Sequence, residues 1–387
     1  MRGTHQSSAV QSGGPFEAPF PDGTGIVHVG PHKTGTTVVQ GSLHAARERL
    51  AAHGVRLPSP ERNPVAAVSQ AVEPRPKDPS RPAWRELAAA FAATEGRLSV
   101  LSSEFFADAD DAAARRVVGD LGERAHVLIT LRPLGKIMPS QWQQHVQSGM
   151  STPYEQWLAE LLDPDSEDEA AKRFWNRHRH DRFTARWASA AGAERVSVLI
   201  VDDSRPEKLL HDFEALLGLP EGTLRKEKNT TNRSLTAGET EAIRLIAAAF
   251  EARGWPKQRF REFVRYGAVP RIKTGRTPPP GEARIATPSW ALDRAAEIGA
   301  DIAESIAASG VRVIGDLGLL RGEEIEPAEP GPAQVDPEVT VQAVLGCVNA
   351  ALKHQDEPRP APEREPSLLR VVGQRTRNRL FGSRGGA

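Results

Sequence analysis

The run Ile26-Val27-His28-Val29 ends at Gly30, and Pro31-His32-Lys33-Thr34-Gly35-Thr36-Thr37 follows before a helical pattern begins. A buried strand that breaks into a glycine-framed turn and then a helix has few ways to fold. The turn leaves several backbone N–H groups converging at the positive end of the helix, and Lys33 adds a compact charge to them. His32, Lys33, Thr34, Gly35, Thr36 and Thr37 therefore read as an anion cradle fit for a phosphate-like group.

Further apolar runs at 98–102, 125–131 and 196–201 read as strands. They alternate with helical patterns at 36–53, 84–94, 108–121, 137–148, 153–162, 170–190 and 205–217. This alternation predicts an α/β fold, a three-layer, doubly wound parallel sheet whose ligands bind beyond the carboxyl ends of its strands. Gly30, Glu104 and Arg132 all fall at or just past such ends. Thr236 with Glu239 forms a capping box for a helix to about residue 253, and 290–308 and 311–314 add a helix and a short strand. Residues 55–82, with seven prolines, read as a surface excursion, and the Pro- and Arg-rich residues 256–289 as a long exposed crossing. His178 and His180, two residues apart on a helix, do not face one another and read as solvated or core-edge side chains rather than a metal pair.

The expected organisation is a disordered segment 1–23, an α/β domain 24–320 and a Pro/Glu-rich extension 321–387 with a short helix at 339–352. Lys+Arg and Asp+Glu are both 50, so net charge calls for neither nucleic acid nor a membrane as the bulk partner. Cys347 is the single cysteine, which excludes intramolecular disulfides and cysteine-built metal sites and suits a reducing compartment. No stretch has the length of a signal peptide or a membrane span, and a cytoplasmic location is expected. Arg370, Arg375, Arg377, Arg379 and Arg384 with their apolar neighbours suit the tail to weak peripheral contact with an anionic membrane.

The spacing Gly30-x4-Gly35 is that of a Walker A loop, but Lys33 stands two residues before the second glycine and Thr36 takes the Walker lysine's place. In this register the stretch resembles the 5′-phosphosulfate loop, Pro-x-Lys-x-Gly-[ST]-[ST], of bacterial-type sulfotransferases that use 3′-phosphoadenosine 5′-phosphosulfate (PAPS). Arg132 and Ser140, eight residues apart, match the family's pair for the 3′-phosphate, and Leu217-Gly218-Leu219 matches a later helix end.

The resemblance implies a P-loop-type phosphosulfate cradle, with PAPS as donor and no metal. The sulfuryl group would pass by in-line displacement to a hydroxyl or amine of a small-molecule, carbohydrate or lipid acceptor. It makes Lys33 the residue that neutralises the leaving phosphate and Glu104 the base, with His32 and His145 as rivals. Lys228, Asn229, Asn232, Arg233 and Ser234 become connector residues for cofactor or acceptor, although the family's Arg-Lys-Gly is absent there. Two other readings stand: an ATP-magnesium kinase of small molecules using Asp202-Asp203, and a catalytically inactive nucleotide-binding or scaffold protein. Acceptor identity and oligomeric state are left open.

Overall fold

The computed structural model describes residues 19–356 except 94, 228–232 and 328–332. Most of the expected disordered start, Lys228, Asn229, Asn232 and the Arg-rich tail lie outside the described residues. The order is β1 (Gly25–Val29), α1 (Thr36–Ala45), α2 (Arg47–Ala52), β2 (Val55–Arg56), α3 (Val65–Val72), α4 (Pro82–Ala92), β3 (Leu98–Ser102) and a 3-10 turn at Glu104–Asp108. Next come α5 (Asp111–Leu121), β4 (Ala125–Leu131), α6 (Leu134–Gln147), α7 (Tyr154–Leu162), α8 (Glu169–His178), α9 (His180–Ala191) and β5 (Val196–Ile200). The chain continues through α10 (Lys208–Leu217), α11 (Ala237–Ala252), α12 (Lys257–Phe260), a π-helical turn at Arg261–Ala268, α13 (Val269–Gly275), α14 (Ser289–Ala308), β6 (Arg312–Ile314) and α15 (Pro337–Asp356).

The six strands form one sheet in the order β2-β3-β1-β4-β5-β6, and every pairing is parallel. Side chains alternate between two apolar layers, as strand geometry requires. Ile26, Leu128 and Leu199 pack with Val39, Leu43 and Leu50 of α1 and α2 and with Phe213 of α10. Val27, Val127, Ile129, Val198 and Ile200 face the other way, onto α5, α6, α9 and α14. A sheet buried on both faces by helices is the expected three-layer architecture. The strand order reverses around β1, so the loops leaving β1, β3 and β4 open onto one crevice.

Three segments depart from the sequence expectation. Residues 256–289 are largely not a crossing, because helix runs from Lys257 to Gly275 with Phe260, Val264, Ala268 and Ile272 buried at every fourth position. Pro270 falls just past the junction between the π-helical turn and α13. Residues 55–82 contain edge strand β2 and helix α3, whose Val68 and Ala71 are fully buried. The pattern at 170–190 divides at Arg179 into α8 and α9, which turns His178 and His180 inward at 1% exposure each, so neither is solvated.

Candidate active site

Beneath the cradle a row of polar groups crosses three strands. His28 of β1 is fully buried, with Nδ1 2.8 Å from Ser102 Oγ of β3 and Nε2 3.2 Å from Thr130 Oγ1 of β4. Thr130 Oγ1 lies 3.0 Å from Thr34 Oγ1, which donates to the Pro31 carbonyl at 2.7 Å. The loop is thus fastened to the sheet through its own hydroxyl. Burial takes His28 down to about 3, so the imidazole is neutral and accepts as well as donates.

Two glycines make the turn sterically possible. A Cβ on Gly30 would stand 2.0 Å from Thr36 Oγ1 and 2.8 Å from Thr130 Oγ1, and Gly35 has φ 89° with Leu209 Cδ2 2.5 Å from where its Cβ would be. Lys33 itself adopts φ 73°, a strained conformation for a residue with a side chain. Among the described residues no side chain caps α1, so the first N–H groups of that helix stay open toward the cradle.

Lys33 Nζ meets no carboxylate within ion-pair distance among the described residues. Burial lowers its pKa to about 8, Lys273 and Arg132 push the same way, and Glu104 opposes them. Lys273, on α13, is itself lowered by burial and by Arg233, against Glu239. Two cations with little direct compensation therefore face one crevice.

Glu104 opens the 3-10 turn after β3, behind Ser103, whose hydroxyl accepts from the Phe105 N–H. Its Oε2 accepts from Gln40 Nε2 of α1 at 3.0 Å and from Asn63 Nδ2 at 2.9 Å. Oε1 has no partner among the described residues. The carboxylate is oriented from both sides and keeps one oxygen free.

His32 stacks edge-on against Phe105 at 5.9 Å, and its buried Nε2 has no partner among the described residues. Burial, with Arg177, Lys33 and His145 nearby, brings it down to about 3. His145 is held by Gln141 at 3.2 Å and lowered to about 4, chiefly by burial and then by Arg177 and Arg173. Both rings are neutral.

The two residues expected at the 3′-phosphate behave differently from that expectation. Arg132 closes a two-pronged pair on Asp203, Nε to Oδ2 at 2.7 Å and Nη2 to Oδ1 at 2.8 Å, and its Nη1 donates to the Lys33 carbonyl at 3.2 Å. It props the strained loop residue from behind, with part of its fork still free. Ser140 lies in the second turn of α6 and not in the first, because that helix begins at Leu134 ahead of Pro139. Arg233 is likewise committed, to both oxygens of buried Glu239 at 2.7 Å and to the Ile272 carbonyl at 3.0 Å. It is a brace under α13, not a free contact for a ligand.

No protein-family model matches this chain, and no curated protein matches it. Among solved structures it is similar to a sulfotransferase from Alicyclobacillus acidocaldarius, with 16% identity over 62% of this chain and 98% of that one and a TM-score of 0.35. Among the described residues no helix is long and apolar enough to cross a membrane.

Of the residues singled out from the sequence, the structure brings Lys33, Glu104, His32 and Arg132 together around one crevice. Sequence reading missed His28, Thr130, Gln40, Asn63 and Lys273. Of these, His28 and Thr130 carried a signal, being polar residues inside apolar strand runs. Gln40, Asn63 and Lys273 reach the site only through tertiary packing.

Proposed function

We propose that this chain is a sulfotransferase that takes its sulfuryl group from PAPS and passes it to a hydroxyl or amine. The observation that carries this reading is the cradle: Lys33 held at positive φ, with no carboxylate partner or helix cap among the described residues, at the N-terminus of α1 and beside the oriented Glu104. Gly30 and Gly35 let the turn close against Thr36, Thr130 and Leu209, and Lys273 supplies a second charge. These residues fit the doubly charged phosphosulfate end of such a donor.

In the proposed mechanism Glu104 Oε1 accepts the proton of the acceptor group as its oxygen or nitrogen attacks sulfur. The bond between sulfur and the bridging phosphate oxygen breaks in line, and Lys33 with the α1 N–H groups receives the charge that grows on that oxygen. Thr36 and Thr37 open α1 there, and Arg132 fixes the loop and offers its remaining N–H groups toward the crevice. Ser140 is retained as a donor to the nucleotide on its position along α6 alone. The acceptor, whether small molecule, carbohydrate or lipid, enters on the side of His32 and His145. A magnesium-dependent kinase is less well supported, since of the acids it would use Asp203 is already closed by Arg132 and Asp202 by Arg205 and Ser204.

The test is ligand-dependent thermal stability. Adenosine 3′,5′-bisphosphate without metal should raise the melting temperature, and the gain should vanish in Lys33→Ala. Preferential stabilisation by ATP with magnesium would overturn the proposal. Labelled donor incubated with cell extract, followed by mass identification of the product, would then name the acceptor.

A further inference from the structure

The helix α15 is apolar on two opposite faces. Val339, Ala343, Gly346 and Ala350, spaced four, three and four, form the inner seam against the helix at 257–275. Val339 is fully buried and Ala343 nearly so, and a Cβ on Gly346 would stand 2.6 Å from Ala268 Cα. The outer seam is Val341, Leu345, Val348 and Leu352, again spaced four, three and four, with Val344 beside it. These five side chains are 41–56% exposed. At about 100° per residue the two seams lie roughly 180° apart. A helix with apolar residues on both faces ordinarily has a partner on each.

We propose that the outer seam of α15 is the contact between two copies of this chain, packed with their helices antiparallel about a two-fold axis. The spacing is a palindrome. Run antiparallel, Val341 meets Leu352 of the partner subunit and Leu345 meets Val348 of the partner subunit, and the same pairs recur in reverse, as an isologous interface requires. The flanking positions Gln342, Asn349 and Ala351 carry no charge, so identical helices approach without repulsion. The charges of α15 nearest the seam are Glu338 at one end and Lys353 with Asp356 at the other. Parallel order would set Glu338 directly on Glu338, whereas antiparallel order sets it against an end of mixed charge. The five side chains expose roughly 400 Å² of apolar surface, the size at which a patch marks a contact. That is short of the ~800 Å² per partner of a standard stable interface, so the dimer forms in a concentration-dependent way.

Sedimentation velocity on the full chain from about 1 to about 200 μM tests this. The expected result is a monomer that converts to dimer as concentration rises. Leu345→Glu/Val348→Glu should be monomeric throughout, with the melting temperature of the dilute wild type. The milder Val341→Ser/Leu352→Ser should weaken dimerisation by about tenfold or more. A full chain that stays monomeric at the highest concentration, or a dimer that survives both pairs of substitutions, would overturn the proposal. So would a chain ended at residue 356 that dimerises where the full chain does not, since residues 357–387 would then own the seam.

Discussion

Lys33 sits where two requirements pull against each other. Its ammonium is needed as a charge for an incoming anion, yet burial and Lys273 hold its pKa down to about 8. Below that pH the cradle is cationic, and above it the charge is lost. Affinity for adenosine 3′,5′-bisphosphate should therefore fall as pH rises through about 8, and calorimetric titration at pH 7 and pH 9 measures the difference. In Lys33→Ala turnover should drop by roughly 10²–10³, the usual cost of one preorganised electrostatic contact. Its folded state should be no less stable, because a desolvated charge has been removed. Glu104→Gln separates chemistry from binding. Turnover should fall about 10²–10⁴-fold while bisphosphate binding is kept, and a variant with full activity would take Glu104 out of the mechanism.

Among the elements, α11, α13 and α15 meet around a buried ionic knot. Glu239, at 0% side-chain exposure, accepts from Arg233 and from Arg276 Nη1 at 3.1 Å, and Arg276 turns also to Glu282 at 2.6 Å and to Glu338 at 3.3 Å. Glu239 serves as well in the capping box with Thr236. Glu239→Ala leaves two arginines facing a void. The cost should be about 3–5 kcal/mol, read as a lower urea midpoint, and Lys273 should lose its fixed position with α13. This knot shows where sequence reading stops. The capping box was visible because it is local, whereas Arg233 and Arg276 find their carboxylates across gaps that no period announces. The helix at 257–275 was hidden in a similar way, its four-residue apolar period being masked by Pro256, Gly267, Pro270 and many arginines. By contrast β1, β4 and the cradle were legible, since strand, turn and helix follow each other without a break.

For the whole molecule the histidines set the acid limit. His28, His32, His126, His145 and His180 are all lowered by burial to about 3–4, and His178 lies well below its ordinary value. The folded chain keeps them neutral, while the unfolded chain protonates them as pH falls through about 6.5. Stability is thus complete above that pH and drains away between about 6.5 and 3, each fully buried ring removing up to about 1.4 kcal/mol per pH unit. Urea midpoints at pH 7, 6 and 5 should fall steeply, and a flat series would contradict the assignment. A different consequence follows from Gly30 and Lys33 standing only three positions apart. A saturation library across 28–37, sorted once for soluble folded protein and once for bisphosphate capture, should be depleted at position 30 in both sorts and at position 33 in the second alone. Mutational tolerance would then draw the border between scaffold and chemistry within a single turn of chain.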